Sequence, residues 1–307
     1  MTFTLALRRS FGLRFSSAGK SQRFHCRYRV AIRNRAGNPV RFFVLYPVPP
    51  KLPYQSVAGI TFAPADAKVW QEGKFGNRYV ALPVTIPGGQ SVQAGLSAIV
   101  TVLPRTQPVR YASDYGADVS LPGSQSIAVT PQIQQLAENL CGRLTDTMAI
   151  TQRLYDYVVT RLHYGNPITG LYTSTDAMSL PDVDCGGFCS LLAALLTARG
   201  IASRLLFGFW ADLPSGEMHA WLEARLPDGR WIAMDPAVDH LARRGRSRKL
   251  SWFGFVGSDR IAFSIGTDLA LLVSDGTVSA ALLQHPLVVP PQPPEVALTL
   301  TVASQRI

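Results

Sequence analysis

The stretch Asp184-Cys185-Gly186-Gly187-Phe188-Cys189 places a thiol where a helix is predicted to begin. Apolar residues then recur with the i, i+3, i+4, i+7, i+8 spacing of one buried helix face, namely Phe188, Leu191, Leu192, Leu195 and Leu196. Gly200 follows as a natural C-terminal stop. Cys185 is therefore expected at the mouth of a short buried helix, where backbone N–H groups and the helix dipole favour the nucleophilic thiolate.

Two downstream stretches supply candidate partners for this thiol. Residues 218–225 and 230–236 flank the turn Leu226-Pro227-Asp228-Gly229, which predicts a β-hairpin. A hairpin centred near residue 227 brings His219 and Asp235 together at its open end. Cys, His and a carboxylate in this order are typical of an activated nucleophile, in which the imidazole takes the thiol proton and the carboxylate fixes the tautomer.

At these residues the sequence resembles the transglutaminase-like superfamily of cysteine enzymes. The similarity is carried by DCGGFCSLLAALLTARGIASR at 184–204, by the strand end Gly208-Phe209-Trp210 and by MHAWLEARLPDGRWIAMDP at 218–236. The resemblance implies a papain-like core in which Cys185 is the nucleophile, His219 the general base and Asp235 the orienting acid. It supplies no upstream Trp for an oxyanion hole, and the backbone N–H of Cys185 is the expected donor.

Neighbouring residues leave alternatives open. Glu223 rivals Asp235 as the partner of His219, but it lies about 7 Å further along the same predicted strand, so Asp235 is preferred. Trp221 shares a strand face with His219 and either shields the imidazole or packs in the core. Arg204 is expected to form a structural ion pair, and the loop before Cys185 to form one wall of a cleft. Asp184 in that loop is an electrostatic tuner or a solvated acid.

Composition excludes several classes of protein. The chain has 307 residues, of which 47% are apolar and 16% charged, which indicates packed cores and about two domains. No apolar run approaches roughly 18 residues, and the stretch before Arg8 is too short for a secretory signal, so a cytoplasmic location is expected. A transit peptide remains an alternative for the N-terminal segment.

Positive charge is concentrated at the beginning of the chain. The net charge is +10, no acid precedes Asp66, and a second basic cluster occupies residues 243–249. Such clusters suit nucleic acid or an anionic membrane surface, but a solvated face is the preferred interpretation because no aromatic and basic interleaving is present. We therefore expect no specific nucleic-acid partner.

Cysteine usage predicts neither disulfides nor a metal site. Four cysteines are too few for a disulfide scaffold in a chain of this length. Cys185 and Cys189 are spaced i, i+4, and no second Cys or His pair follows at zinc-binding spacing. Cys189 is expected to pack as a small apolar residue. No cofactor is predicted.

The predicted fold class is α+β, with an N-terminal β-sandwich followed by a papain-like core with added C-terminal strands. Alternating short strands from Phe24 onward indicate the sandwich. The expected boundaries are a basic arm at 1–22, the sandwich at 23–106, a linker at 107–126 and the core with its C-terminal strands at 127–307. Residues 2–7 form either a first edge strand or part of the arm.

The expected function is acyl transfer from amide bonds of a protein or peptide substrate through a Cys185 thioester. Hydrolysis, as in a cysteine protease or amidase, is favoured over cross-linking because water needs no second binding site. Arylamine acetyltransferase-like use of the same triad is a further alternative within enzymes. The alternatives from other classes are a non-catalytic protein-binding module that retains the fold and a nucleic-acid or membrane-surface protein that uses the basic clusters.

Overall fold

The computed structural model describes residues 20–111, 124–211, 217–245, 253–291 and 295–307. Its N-terminal strands are β1 (Gln22–Asn34), β2 (Val40–Val48), β3 (Gln55–Ala63), β4 (Val69–Gln71), β5 (Arg78–Ile86) and β6 (Ser91–Val102). The middle of the chain forms α1 (Pro131–Cys141), α2 (Thr147–Arg161), β7 (His163–Tyr164), α3 (Ser174–Ser179), β8 (Asp182–Val183), α4 (Cys185–Ala198), β9 (Ser203–Trp210), β10 (Met218–Arg225), β11 (Trp231–Met234) and α5 (Pro236–Arg243). The C-terminal strands are β12 (Arg260–Ile265), β13 (Leu269–Val273), β14 (Gly276–Ala280), β15 (Leu287–Val289) and β16 (Val296–Arg306).

Several sequence predictions fall outside these ranges. Residues 2–7, most of the basic arm, residues 112–123 of the expected linker and residues 246–249 of the second basic cluster lie outside the described residues. Within the described residues, no helix is both long and apolar enough to span a bilayer. The predicted α+β class is confirmed, because helices and strands both build the molecule.

The N-terminal strands form two antiparallel sheets around one shared core. Their strand orders are β16-β1-β6-β3 and β15-β2-β5-β4. Inward residues of β1, such as Phe24 and Tyr28, meet inward residues of β2, such as Val44, in the same hydrophobic cluster. The outward residues of β1 include a row of exposed arginines, Arg23, Arg27, Arg29 and Arg33. This exposure fits the solvated face expected for the first basic cluster.

The last strands of the chain join these N-terminal sheets. Strand β16 pairs antiparallel with β1, from Asn34 opposite Val296 to Phe24 opposite Arg306, and β15 pairs with β2. Both strands lie within the segment 127–307 that is predicted to form the core, but they pair with the N-terminal sheets instead. Alternation shows that a segment is a strand, but it does not show which distant edge the strand will pair with.

The middle part of the chain packs around helix α4. A four-stranded sheet of order β11-β10-β9-β12 lies beside it, and α1, α2 and α5 contact it from other sides. Every residue from Cys185 to Leu196 is buried, so the helix has no solvent face, in contrast to the single buried face that the spacing predicted. Small residues such as Ser190, Ala193 and Ala194 allow this, since they admit neighbouring helices on the remaining sides.

A buried ionic cluster ties the segment after β6 to the hairpin of β10 and β11. Glu223 on β10 pairs with Arg105 and with Arg204 of β9, whose Nη2 lies 2.8 Å from Oε2. Tyr111 donates its hydroxyl to the same carboxylate, and Arg105 Nη2 donates to the carbonyl of Trp231 at 3.1 Å. The ion pair predicted for Arg204 is thereby confirmed.

Candidate active site

Helix α4 presents Cys185 as its first residue because Asp184 caps it. One carboxylate oxygen of Asp184 accepts from the N–H groups of Gly186 at 2.9 Å and Gly187 at 3.2 Å. The other accepts from the N–H of Ile168 at 3.2 Å, in the loop before the cysteine. Asp184 is therefore a buried N-cap. The signal that could have assigned it is an Asp directly before an apolar helical run.

Two glycines after the cysteine allow the close packing at this helix end. A Cβ on Gly187 would lie 2.6 Å from Cβ of Val183, and one on Gly186 would lie 2.8 Å from Cδ1 of Leu171. The Leu171 contact and the Ile168 hydrogen bond place the loop of residues 165–172 against the nucleophile's end of α4. This placement fits the cleft wall expected of that loop.

The hairpin brings His219 and Asp235 together. The ladder of β10 and β11 runs from Arg225 opposite Trp231 to Leu222 opposite Met234, so it centres on residue 228, one later than predicted. Asp235 follows β11 directly and caps α5, where its Oδ1 accepts from the N–H of Val238 at 3.2 Å. Its Oδ2 lies 2.9 Å from Nε2 of His219.

Two tryptophan rings lie beside the imidazole. The Trp210 ring lies 5.3 Å from the His219 ring, and the Trp221 ring stacks at 6.1 Å with an interplanar angle of 20°. His219 is 4% exposed and Asp235 is 0% exposed. Trp221 therefore both shields the imidazole and packs in a core, so the two sequence interpretations hold together.

The sulfur of Cys185 lies beside strand β10, where the backbone N–H groups of Ala220 and Gly186 favour its ionised form. Burial opposes ionisation more strongly, since the residue is 9% exposed, and the neighbouring Asp184 carboxylate adds to that opposition. The net result is a pKa of Cys185 above its usual range. The expectation that the helix mouth would lower this pKa is wrong, because the effect of desolvation is larger than that of the helix terminus.

The segment that carries these residues matches a family model. Residues 134–236, which include Cys185, His219 and Asp235, match the family described as the transglutaminase-like superfamily. The chain therefore has a transglutaminase-like core. No curated protein matches the sequence at a significant level.

One solved structure shares the fold over most of the chain. A crystal structure described as a "putative cysteine protease" from Cytophaga hutchinsonii superposes with a TM-score of 0.58 and 15% identity, over 92% of this chain and 91% of that one. The periplasmic domain of TgpA from Pseudomonas aeruginosa has a TM-score of 0.37 and 14% identity, over 76% of this chain and 93% of that one. At 15% identity, the likeness to the Cytophaga hutchinsonii protein concerns the fold alone.

The carboxylate of Asp235 in the transglutaminase-like core stays ionised despite its burial. Desolvation alone would raise its pKa, but the charge and hydrogen bond of His219, followed by the charge of Arg260, outweigh it. The pKa of Asp235 consequently lies below its usual range. Glu223, the rival partner, is fully engaged with Arg105, Arg204 and Tyr111. The preferred pairing of His219 with Asp235 is the one present.

Arg260, which follows the matched residues 134–236, also contacts this site, and the sequence alone did not assign it. Its Nη2 lies 3.4 Å from Oδ2 of Asp235, and its Nη1 donates to Oδ1 of Asp259 at 2.6 Å. The guanidinium carbon lies 3.3 Å from the centre of the Trp210 ring, and Trp210 Nε1 donates to Oδ2 of Asp259 at 2.8 Å. Arg260 lies 25 residues after Asp235, and no local pattern links the two.

Cys189 is fully buried in the same cluster of apolar side chains as Cys185, as expected of a small core residue. All four cysteines are free thiols. Among the described residues, no group of three or more His, Cys, Asp or Glu side chains is arranged to hold a metal ion.

Proposed function

We propose that the protein is a cysteine acyl-transfer enzyme that acts on amide bonds of proteins or peptides through a thioester on Cys185. The observation that carries this proposal is the 2.9 Å contact between His219 Nε2 and Asp235 Oδ2, next to a cysteine at the mouth of a buried helix. An imidazole oriented by a carboxylate, close to a thiol that lies by the N–H of Ala220, supports an activated nucleophile. The family match supports a cysteine enzyme of this class.

The proposed reaction begins with general-base activation of the thiol. Because the Asp235 carboxylate accepts from Nε2, the imidazole carries its proton there and Nδ1 is left to take the Cys185 proton. The sulfur then attacks the amide carbonyl carbon, and the negative charge moves to the carbonyl oxygen. When this intermediate collapses, the imidazolium gives its proton to the departing amine, and the acyl group remains on sulfur. Water attack on the thioester, again with His219 as base, releases the acid and restores the thiol.

The backbone N–H of Cys185 is the proposed oxyanion donor. Asp184 engages the N–H groups of Gly186 and Gly187 but not that of Cys185. A donor at the first turn of α4 also has the helix dipole behind it, which stabilises a developing negative charge.

The burial of Cys185 supports two further features of the proposal. Since burial raises the pKa of Cys185, the resting sulfur is a protonated thiol, and its proton moves as the sulfur attacks. The 9% exposure of Cys185 also favours water over a bulky amine as acyl acceptor, because water is small. Hydrolysis is therefore proposed ahead of cross-linking.

The same burial supports a second candidate function. A protein-binding module that retained the fold would need no exposed thiol, and it would leave Cys185 unreactive. The raised pKa of Cys185 and its low exposure support the binding-module candidate.

Alkylation separates the two candidates. Iodoacetamide labelling of Cys185 is followed by peptide mass mapping from pH 5 to 10, in the parent protein and in His219→Ala. The enzyme proposal expects parent labelling that is faster than in His219→Ala by at least about tenfold near neutral pH, as expected for loss of a general base. Amide substrates are then screened with and without added amines.

Internal controls make the labelling experiment decisive. Peptides that contain the buried Cys26 and Cys141 report any general opening of the protein, and Cys189→Ala shows that the neighbouring thiol is not the one labelled. Equal labelling rates for Cys185 in the parent and in His219→Ala, or an inert Cys185 in both, would contradict the enzyme proposal and favour the binding module.

A further inference from the structure

One carboxylate oxygen in the site faces two basic groups. Oδ2 of Asp235 lies 2.9 Å from Nε2 of His219 and 3.4 Å from Nη2 of Arg260. The other oxygen, Oδ1, accepts from the N–H of Val238. The carboxylate and the guanidinium are 0% and 1% exposed, so water does not screen them and the pair interacts strongly.

Arg260 is fixed in place from two further directions. Asp259 accepts from Nη1 of Arg260 through one oxygen and from Nε1 of Trp210 through the other. The guanidinium also lies over the Trp210 ring, whose centre is 5.3 Å from the His219 ring. A guanidinium so held is a permanent positive charge near the imidazole, since arginine does not lose its proton in proteins.

The position of this charge affects the protonation of His219. A carboxylate beside an imidazole favours the imidazolium, which cannot act as a base. A cation on the same oxygen partly neutralises that carboxylate and also repels a second positive charge. We propose that Arg260 is a positioning residue that shares Oδ2 of Asp235 with His219 and keeps the imidazole neutral, and thus able to accept the Cys185 proton, at lower pH. This inference rests on the proposed function, because it assigns His219 as the base.

Other charged and titratable groups lie near His219 and Asp235. Glu223, on the strand of His219, is neutralised by Arg105 and Arg204 and lies in their buried cluster. Further described groups interact electrostatically with Asp235 or His219, or with the tyrosines next to them. They are Asp184, Cys185 and Cys189 of the α4 region, Tyr155 of α2, Tyr164 of β7, Glu217 before β10, and Asp239 and Arg243 of α5. Among the described cations, Arg260 is the one that forms an ion pair with Asp235 besides His219.

The test is the pH dependence of Cys185 alkylation in Arg260→Gln and Arg260→Lys. Glutamine retains hydrogen-bonding capacity without charge, so the imidazolium persists to higher pH and the acid limb of the rate profile should move up by about one pH unit. Lysine retains the charge, and its acid limb should stay closer to that of the parent. A role confined to stability would instead lower the rate at every pH without moving the limb.

A second variant should move the acid limb of the rate profile in the opposite direction. Asp259→Asn removes an anion beside Arg260 while retaining an acceptor for Trp210, so the imidazolium is disfavoured and the acid limb should move to lower pH. This variant also decides the matter if Arg260→Gln does not fold. The titration of His219 is followed independently by NMR, which is practicable because the chain has five histidines.

The outcomes separate the two claims. An acid limb that moves up in Arg260→Gln and down in Asp259→Asn supports the role of Arg260. Limbs that coincide with that of a reactive parent overturn it and leave the enzyme proposal intact. A parent whose Cys185 labelling does not depend on His219 refutes the enzyme proposal itself, and NMR then still shows whether Arg260 controls the imidazole.

Discussion

Glu223 has an energetic role that is separate from the proposed chemistry. It is fully buried, and burial alone would raise its pKa, but Arg105 and Arg204 outweigh burial and lower the pKa to about 2 from 4.5. A carboxylate with a lowered folded-state pKa stabilises the fold above its unfolded pKa, and this stabilisation is lost as the pH falls through the folded value. The affected window is therefore about pH 5 to 2.

We expect the free energy of unfolding to fall by about 3 kcal/mol across that window through Glu223 alone. Asp235, whose pKa is also lowered, adds a loss of the same sign. Glu223→Gln should destabilise the protein by about 3–5 kcal/mol at pH 7, because two buried guanidinium groups lose their counter-charge. It should also flatten the pH dependence. Urea unfolding at pH 7, 5 and 3 measures both effects.

Asp228→Asn is the matched control for this prediction. Asp228 forms an exposed ion pair with Arg230, with side chains 45% and 47% exposed, and such pairs contribute little to stability. If Glu223→Gln were as mild as Asp228→Asn at pH 7, the buried cluster would not carry the proposed share of the stability.

Single residues differ in how far sequence alone could assign them. Cys185, His219 and Asp235 belong to motifs whose spacing places them on a helix end and a hairpin, and the structure brings His219 and Asp235 into contact. Arg260 could not be assigned, because its contact with Asp235 depends on strand β12 lying beside β9. The direction of the Cys185 pKa was also beyond the sequence, since it depends on how completely neighbouring elements exclude water.

At the scale of elements, the start of α4 depends on its two glycines to different degrees. A methyl group on Gly187 would meet the branched Cβ of Val183, which cannot move without its strand. A methyl group on Gly186 would meet the ends of two side chains, Cδ1 of Leu171 at 2.8 Å and Oδ1 of Asp184 at 3.2 Å, which can shift more easily than a strand. Both changes bring the same gain in helix propensity, about 1 kcal/mol.

We therefore expect Gly187→Ala to lower the melting temperature, because overpacking of about 1–3 kcal/mol exceeds that gain. Gly186→Ala should leave the melting temperature within a degree or two of the parent, since the overlap is relieved by side-chain shifts. Thermal unfolding followed by circular dichroism compares them. Equal melting temperatures would show that strand β8 yields as easily as a leucine side chain.

Element boundaries were predictable where local signals are strong. A Thr followed by Pro is a strong helix-start signal, and α1 spans Pro131–Cys141 with Thr130 as its cap. The start of α2 is less well determined, because Thr145 and Asp146 are both suitable cap residues, and the structure uses Asp146. The complete burial of α4 was not predictable, because its small residues fit a solvent face as well as a contact with another helix.

At the scale of the whole molecule, strand β16 secures the N-terminal sheet through its inward residues. Val302 is 7% exposed and contributes to the core shared by the two sheets, whereas the next residue, Ala303, is exposed and lies opposite Arg27. The same substitution at these two adjacent positions therefore tests the pairing of β16 with β1, because their side chains lie on opposite faces of the sheet.

Val302→Glu should lower the free energy of unfolding of this sheet by about 2–4 kcal/mol, because it buries an unpaired carboxylate. Ala303→Glu should be neutral or slightly stabilising, since the new carboxylate lies across from an arginine. Urea denaturation followed by tryptophan fluorescence and circular dichroism distinguishes them. Similar losses at both positions would be inconsistent with the register described for β16.

Pairing of the last strand with the first also fixes the order in which the protein can mature on the ribosome. Residues 134–236, with the proposed site, emerge well before Val296–Arg306, so that part can pack while one edge of β1 still lacks its partner. An unpaired strand edge attracts the edges of other chains. The arginine row of β1 gives every nascent copy the same positive charge along that edge, and copies of like charge repel each other until β16 arrives.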